Sequence, residues 1–398
     1  MNSFSVKNKA SKRTIIFYGT PAYGHINPTL PIVDTLVSRG YSVIYYATQD
    51  FRSKIEMQGA QYREYDFSNT NWNPEVGSQI VELTELILEF TNEQLEYLLE
   101  EAKEEKPCLI IHDTLAFWGR AVANLLEIPT MSVNTIITIN GYGTKAFWMY
   151  ALRFSFSSLL QWKSIPRILQ YKRQLKKRCK IGKTDWLSLL MNQEALNLYT
   201  YPLEMHPEGI QLKKEHFFLG PAAILRKDAH QEETYTYDNL IYVSLGTIFN
   251  RNDSFYHAVM KAFGNTKYHV VISCKNQYEE LMREKIPANI TLKPYVDQNA
   301  ILKRAVLFIS AGGMNSICEA VANGVPCLLY PQQGEQAINA KILEELGLGK
   351  VIKNEDKLLE ASETFLKQYR VNSELIQKFS NIRMKELIVE IENYIDVM

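Results

Sequence analysis

"TIIFYGTPAYGHINPTLPIVDTLVSRGYSVIYYAT" occupies residues 14–48 and alternates in the manner of a layered α/β protein. Its first six residues are an apolar run ending at Gly19, the pattern of a strand buried on both faces. After a loop, Leu30, Val33 and Leu36 fall on one face of a helix that Pro28 opens and Gly40 closes. "SVIYYAT" (42–48) is the next strand. Strand, helix and strand at this spacing form a βαβ unit, so the sheet is expected to be parallel.

The alternation continues through "PCLIIHD" (107–113), a helical pattern around "FWGRAVANLLE" and "TMSVNT" (130–135). A second series runs from "NLIYVSLGT" (239–247) through "YHVVIS" (268–273), "ITLK" (290–293), "AVLFIS" (305–310) and "PCLLYP" (326–331). Two series of similar size, with no sequence repeat between them, imply two doubly wound α/β domains. We place the first at 1–218, a polar linker at 219–238, the second at 239–378, and a final amphipathic helix at 379–398 returning to the first domain. Residues 145–183 are aromatic, then strongly basic, with no acid, and read as helices leaning over a cleft.

Bulk properties narrow the function classes. The 398 residues exceed one ordinary domain, and 46% apolar with 22% charged residues is usual for a globular chain. Lys+Arg equals Asp+Glu at 44 each, so no basic excess argues for nucleic acid. Five scattered cysteines, with no C-x-x-C pair, favour a reducing compartment and neither disulfides nor zinc. The first residues lack a signal-like apolar stretch and no run is long enough to span a bilayer, so a cytoplasmic protein is expected. The oligomeric state is not readable.

In open parallel sheets, ligands bind beyond the carboxyl ends of the strands. Three loops there carry unusual residues. His25, between Gly24 and the helix near Pro28, is free to face a cleft; the alternative is a solvent or capping histidine. Asp113 ends a buried strand and could orient an imidazole; the alternative is a helix N-cap. Neighbouring His112 reads as structural. In "FISAGGMNSICEA" (308–320), Gly312 and Gly313 make a tight turn, and the N–H groups near Met314, Asn315 and Ser316 open a helix whose dipole favours an anion. Asn315 and Glu319 lie one turn apart on one face. In "YPQQGEQAINA" (330–340), Glu335 and Gln336 could bind a polyol or simply begin an exposed helix.

Together, "GTPAYGHINPTLPIV" and "SAGGMNSICEAVANGVPCLLYPQQGEQAINA" resemble the family 1 UDP-sugar-dependent glycosyltransferases, especially bacterial enzymes acting on macrolides and flavonoids. The resemblance spans nearly the whole chain. It implies two facing Rossmann-like domains (the GT-B fold), with the acceptor on the first and the nucleotide sugar on the second. It casts His25 as general base and Asp113 as its partner. Tyr295, in "KPYVDQNAIL", falls where the family usually stacks a tryptophan on uracil, and Gln298 matches the motif's glutamine, although Asp297 replaces its proline. Ser244 and Thr247 match a loop near the phosphates, Asn315 and Ser316 phosphate contacts, Glu319 a ribose-hydroxyl acceptor, and Glu335 with Gln336 the pair reading the sugar. Ala311 departs, because the family usually has a histidine donating to the diphosphate.

The implied reaction is inverting and metal-independent. Its co-substrate is a UDP-sugar, glucose being favoured, with no further cofactor, and its acceptor is small and hydrophobic. A nucleotide-sugar-binding protein with little turnover is the alternative. Phe147, Trp148, Phe154 and Phe156 either line the acceptor pocket or pack a core. The basic run 172–183 reads as a solvated helix face, without stable membrane insertion.

Overall fold

The computed structural model describes residues 13–66, 80–137, 163–179, 193–206, 216–226, 235–246, 251–332 and 334–397. Two parallel sheets organise them. The first contains β1 (Thr14–Tyr18), β2 (Ser42–Ala47), β3 (Gln61–Glu64), β4 (Leu109–Asp113), β5 (Thr130–Asn134), β6 (Leu196–Tyr199) and β7 (His216–Phe218), in the order 3-2-1-4-5-6-7. The second contains β8 (Leu240–Ser244), β9 (His269–Ser273), β10 (Ile290–Lys293), β11 (Leu307–Ser310), β12 (Cys327–Leu329) and β13 (Gly349–Val351), in the order 10-9-8-11-12-13. Both sheets therefore reverse direction between their first and fourth strands, where doubly wound sheets leave a crevice for ligands.

The apolar runs are explained by burial on both faces. Ile15, Phe17, Val43, Tyr45 and Ile111 pack beneath the helix Leu30–Ser38, while Ile16, Tyr18, Ile44 and Ile110 meet the helices Ile80–Glu105 and Phe117–Leu126. In the second lobe, Ile241, Val270 and Ile309 pack on the helix Asp253–Phe263, and Tyr242, Phe308 and Leu329 on the opposite layer. That opposite cluster also takes in Tyr199, Tyr201, Met205 and Phe218 of the first lobe, so apolar contact joins the two.

The final helix, Met384–Val397, returns to the first lobe. Leu387, Ile388, Ile391 and Ile395 enter the core under β1 and β2, and Tyr394 Oη donates to the Thr130 carbonyl at 3.1 Å. Two details differ from the sequence reading. The helix expected from Pro28 starts at Leu30, after a 3₁₀ turn over Asn27–Thr29. The polar connection is anchored at its start: Leu219, Ala222 and Ala223 are buried, and Ala222–Leu225 forms a 3₁₀ turn. The basic helix Ile165–Arg178 packs Ile168 and Leu175 inward.

Candidate active site

The first-lobe site sits at the reversal between β1 and β4. Gly19 is required there, because a Cβ would lie 2.6 Å from the Tyr45 ring. The chain then turns through Tyr23–Ile26, which carries His25. Thr29 fixes the turn from below, donating to the Ile26 carbonyl at 2.7 Å. His25 Nδ1 lies 2.8 Å from Asp113 Oδ2, with the two side chains 14% and 1% exposed. Asp113 Oδ1 accepts from Thr20 Oγ1 at 2.7 Å and from Leu115 N–H at 2.9 Å. One oxygen thus closes the local turn and the other holds the imidazole. Thr135, at the end of β5, places Oγ1 3.0 Å from the same Nδ1. Nδ1 is therefore committed inside the protein, which leaves Nε2 for a substrate proton.

Burial pulls the His25 imidazole down, but the charge of Asp113, its hydrogen bond and the charge of Glu335 raise it above the ordinary histidine value. Neighbouring His112 is fully buried and turns away, with Nδ1 donating to the Asp113 carbonyl at 3.0 Å and Nε2 3.1 Å from Glu194.

The second-lobe site sits at the matching reversal, between β8 and β11. Each strand ends in a serine whose Oγ accepts from the glycine N–H two residues on: Ser244 from Gly246 at 3.3 Å, Ser310 from Gly312 at 3.2 Å. Gly312 has φ of +89°, and a Cβ there would lie 3.1 Å from the Gln336 carbonyl. Asn339 Nδ2 donates to the Gly312 carbonyl at 3.0 Å and pins the turn. The helix Met314–Ala322 then starts with no side-chain cap. Its first N–H groups lack intrahelical acceptors and, with the dipole, face an anion favourably. Ala311 is 2% exposed and packs its methyl into the core.

Around this turn, Gln298 Nε2 donates to Glu319 Oε2 at 2.7 Å and reaches Ser316 Oγ at 3.3 Å. Tyr295 is 43% exposed. Asp297 caps the helix Gln298–Leu302 by accepting from Ala300 N–H at 3.1 Å, a structural task for the residue in the proline position. Glu335 opens the helix Gly334–Glu345; burial pushes its carboxyl up, and His25 and Asn339 offset part of that rise. Gln336 Oε1 accepts from Gln332 N–H at 2.8 Å. Thr247, Phe147, Trp148, Phe154 and Phe156 lie outside the described residues.

The two sites meet. Asn315 Nδ2, in the first turn of the Met314–Ala322 helix, donates to the Gly24 carbonyl, beside His25, at 2.7 Å. The glycosyltransferase family 28 C-terminal domain matches residues 250–389. NDP-glycosyltransferase YjiC of Bacillus subtilis is 31% identical to this chain over 94% of its length and 93% of the relative's. The chain belongs to the family 1 nucleotide-sugar glycosyltransferases. The oleandomycin glycosyltransferase of Streptomyces antibioticus is 23% identical to this glycosyltransferase over 94% of it and 90% of the relative. Among solved structures, the glycotransferase of kitacinnamycin superposes with a TM-score of 0.77 at 24% identity, covering 96% of this chain and 99% of that one. The glycosyltransferase therefore has the GT-B fold, two Rossmann-like lobes facing across a cleft.

Sequence reasoning missed Thr20, Thr135, Ser310 and Asn339 in this glycosyltransferase. Thr20 and Thr135 both follow strand runs directly, a signal that becomes useful only once β1, β4 and β5 are known to be neighbours.

Proposed function

We propose that this enzyme transfers a hexose, glucose being favoured, from a UDP-sugar to a hydroxyl of a small hydrophobic acceptor such as a macrolide or flavonoid. The Asn315–Gly24 contact carries the reading, since it brings the imidazole loop and the anion-facing helix to one cleft. His25 Nε2 takes the acceptor proton as the oxygen attacks the anomeric carbon, and Asp113 holds the ring and offsets the imidazolium charge. The glycine turn and uncapped helix stabilise the departing diphosphate with fixed dipoles, so no metal is required in this scheme. Attack opposite the leaving group converts an α-linked donor into a β-glycoside. Tyr295, Gln298 and Glu319 hold the nucleoside side, with Asn315, Ser316, Ser244 and Thr247 at the phosphates, and Glu335 with Gln336 the sugar.

Ala311 favours a second reading, a nucleotide-sugar-binding protein with little turnover. One hydrogen bond to a charged group contributes roughly 1.5–3 kcal/mol, so its loss costs about one to two powers of ten in donor binding or leaving-group stabilisation. Mass spectrometry after incubation with UDP-glucose and a panel of phenols and macrolides separates the readings. A glycoside with UDP release supports transfer; UDP binding without product, restored by Ala311→His, supports the binding protein.

A further inference from the structure

The side chain of Glu319 is 2% exposed, and that of its ion-pair partner Arg226 is 6% exposed. Arg226 Nη1 donates to Glu319 Oε1 at 2.7 Å, while Gln298 Nε2 occupies Oε2 at 2.7 Å. A carboxylate taken out of water needs such partners, and each of its oxygens keeps a second lone pair for a ligand. Arg226 is itself tethered, donating to the Ala223 carbonyl at 3.0 Å. It directly follows the 3₁₀ turn Ala222–Leu225, which packs on the Asn27–Thr29 turn of the first lobe and on the helix carrying Glu319. Asn299 Nδ2 ties the same turn to the second lobe through the Ile224 carbonyl at 3.3 Å. A residue of the interlobe connection thus sets the direction of a buried carboxylate in the donor site.

We propose that Arg226 is a positioning residue for the donor: it holds the Glu319 carboxylate in the orientation that reads the ribose hydroxyls, and so lets the enzyme separate ribonucleoside from 2′-deoxyribonucleoside diphosphates. This rests on the assignment of Glu319 to the ribose. Arg226 on Oε1 and Gln298 on Oε2 together fix the carboxylate's plane, which either contact alone does not.

Calorimetry with UDP and 2′-deoxy-UDP on the full chain tests it. The wild type is expected to prefer UDP by about tenfold or more, as sites built around a substrate hydroxyl do. Arg226→Met should bring that ratio towards one, chiefly by weakening UDP, with KM for the UDP-sugar rising more than kcat falls. Arg226→Lys should recover part of the ratio. No preference in the wild type removes both the Glu319 assignment and this proposal. A wild-type preference that Arg226→Met retains in full overturns the proposal alone. Should Arg226→Met lose its cooperative thermal transition, Arg226→Met/Glu319→Gln removes both buried charges together and is compared with Glu319→Gln. Equal ratios support action through Glu319; a further loss in the double variant places Arg226 on the nucleotide itself and overturns positioning.

Discussion

The two lobes use one sheet order and place their chemistry at the same topological point, yet they handle charge by opposite means. At the β1/β4 reversal the work falls to side chains: an imidazole and a buried carboxylate with three donors around it. At the β8/β11 reversal it falls to backbone: a pinned glycine turn, an uncapped helix and a buried methyl at Ala311. The proposed roles account for the difference. A proton acceptor needs a tunable group, and tuning needs neighbouring charge. A diphosphate arrives and departs with its own charge, and fixed dipoles meet it without leaving an unpaired cation when the site is empty.

The comparison breaks most sharply at His25. His25→Ala is expected to lower kcat for alcohol acceptors by about two to four powers of ten while UDP affinity, read by calorimetry, stays near wild type. An equal loss in both would mean that the lobes do not divide the labour. Asp113→Asn should cost about two powers of ten or more, because an amide disturbs the tautomer the carboxylate selects. Its pH profile is the finer test. The folded His25 value lies above 6.5, so kcat/KM should climb as pH passes through that raised value and frees the base. Removing the Asp113 charge should move this limb to lower pH. The same pair contributes stability that is full below about 6.5 and is lost as pH rises through the folded value. A limb that stays in place in Asp113→Asn would leave Asp113 a purely local cap.

Ala311→His sharpens the other side. Restoring a side-chain donor should raise kcat/KM for the UDP-sugar by about one to two powers of ten. No change in a variant with an intact thermal transition would show that the backbone already holds the diphosphate fully, and that the second lobe works by dipoles alone.

The apolar strands were legible because burial on both faces leaves no polar positions, and the final helix because its apolar stripe needs a partner. His25, Asp113 and the glycine turn stood out because each interrupts or ends such a run. What stayed hidden depends on neighbours distant in sequence. The polar composition of 219–238 concealed the buried Leu219, Ala222 and Ala223, since a short 3₁₀ turn has no long apolar period to detect. Arg226 reads as a solvent-facing charge until Glu319, 93 residues away, is seen beside it. Strand order is missing from the sequence for the same reason: nothing in "TMSVNT" says that it lies against β4.

Thr135 gives the smallest of these effects and the closest look at the wiring. Nδ1 of His25 carries one hydrogen at most in the base form, and two oxygens approach it, Asp113 Oδ2 at 2.8 Å and Thr135 Oγ1 at 3.0 Å. The shorter, charged contact should hold that hydrogen, since bonds to ionised acceptors are roughly twice as strong as neutral ones. Thr135→Val keeps the shape of the side chain and removes only the longer contact. A net hydrogen bond contributes about 0.5–1.5 kcal/mol, so kcat should fall by about two- to tenfold, with the pH limb still governed by Asp113. A loss as large as that of Asp113→Asn would instead make the threonine an equal partner in holding the imidazole. The first lobe would then orient its base from two strands, β4 and β5, rather than from one.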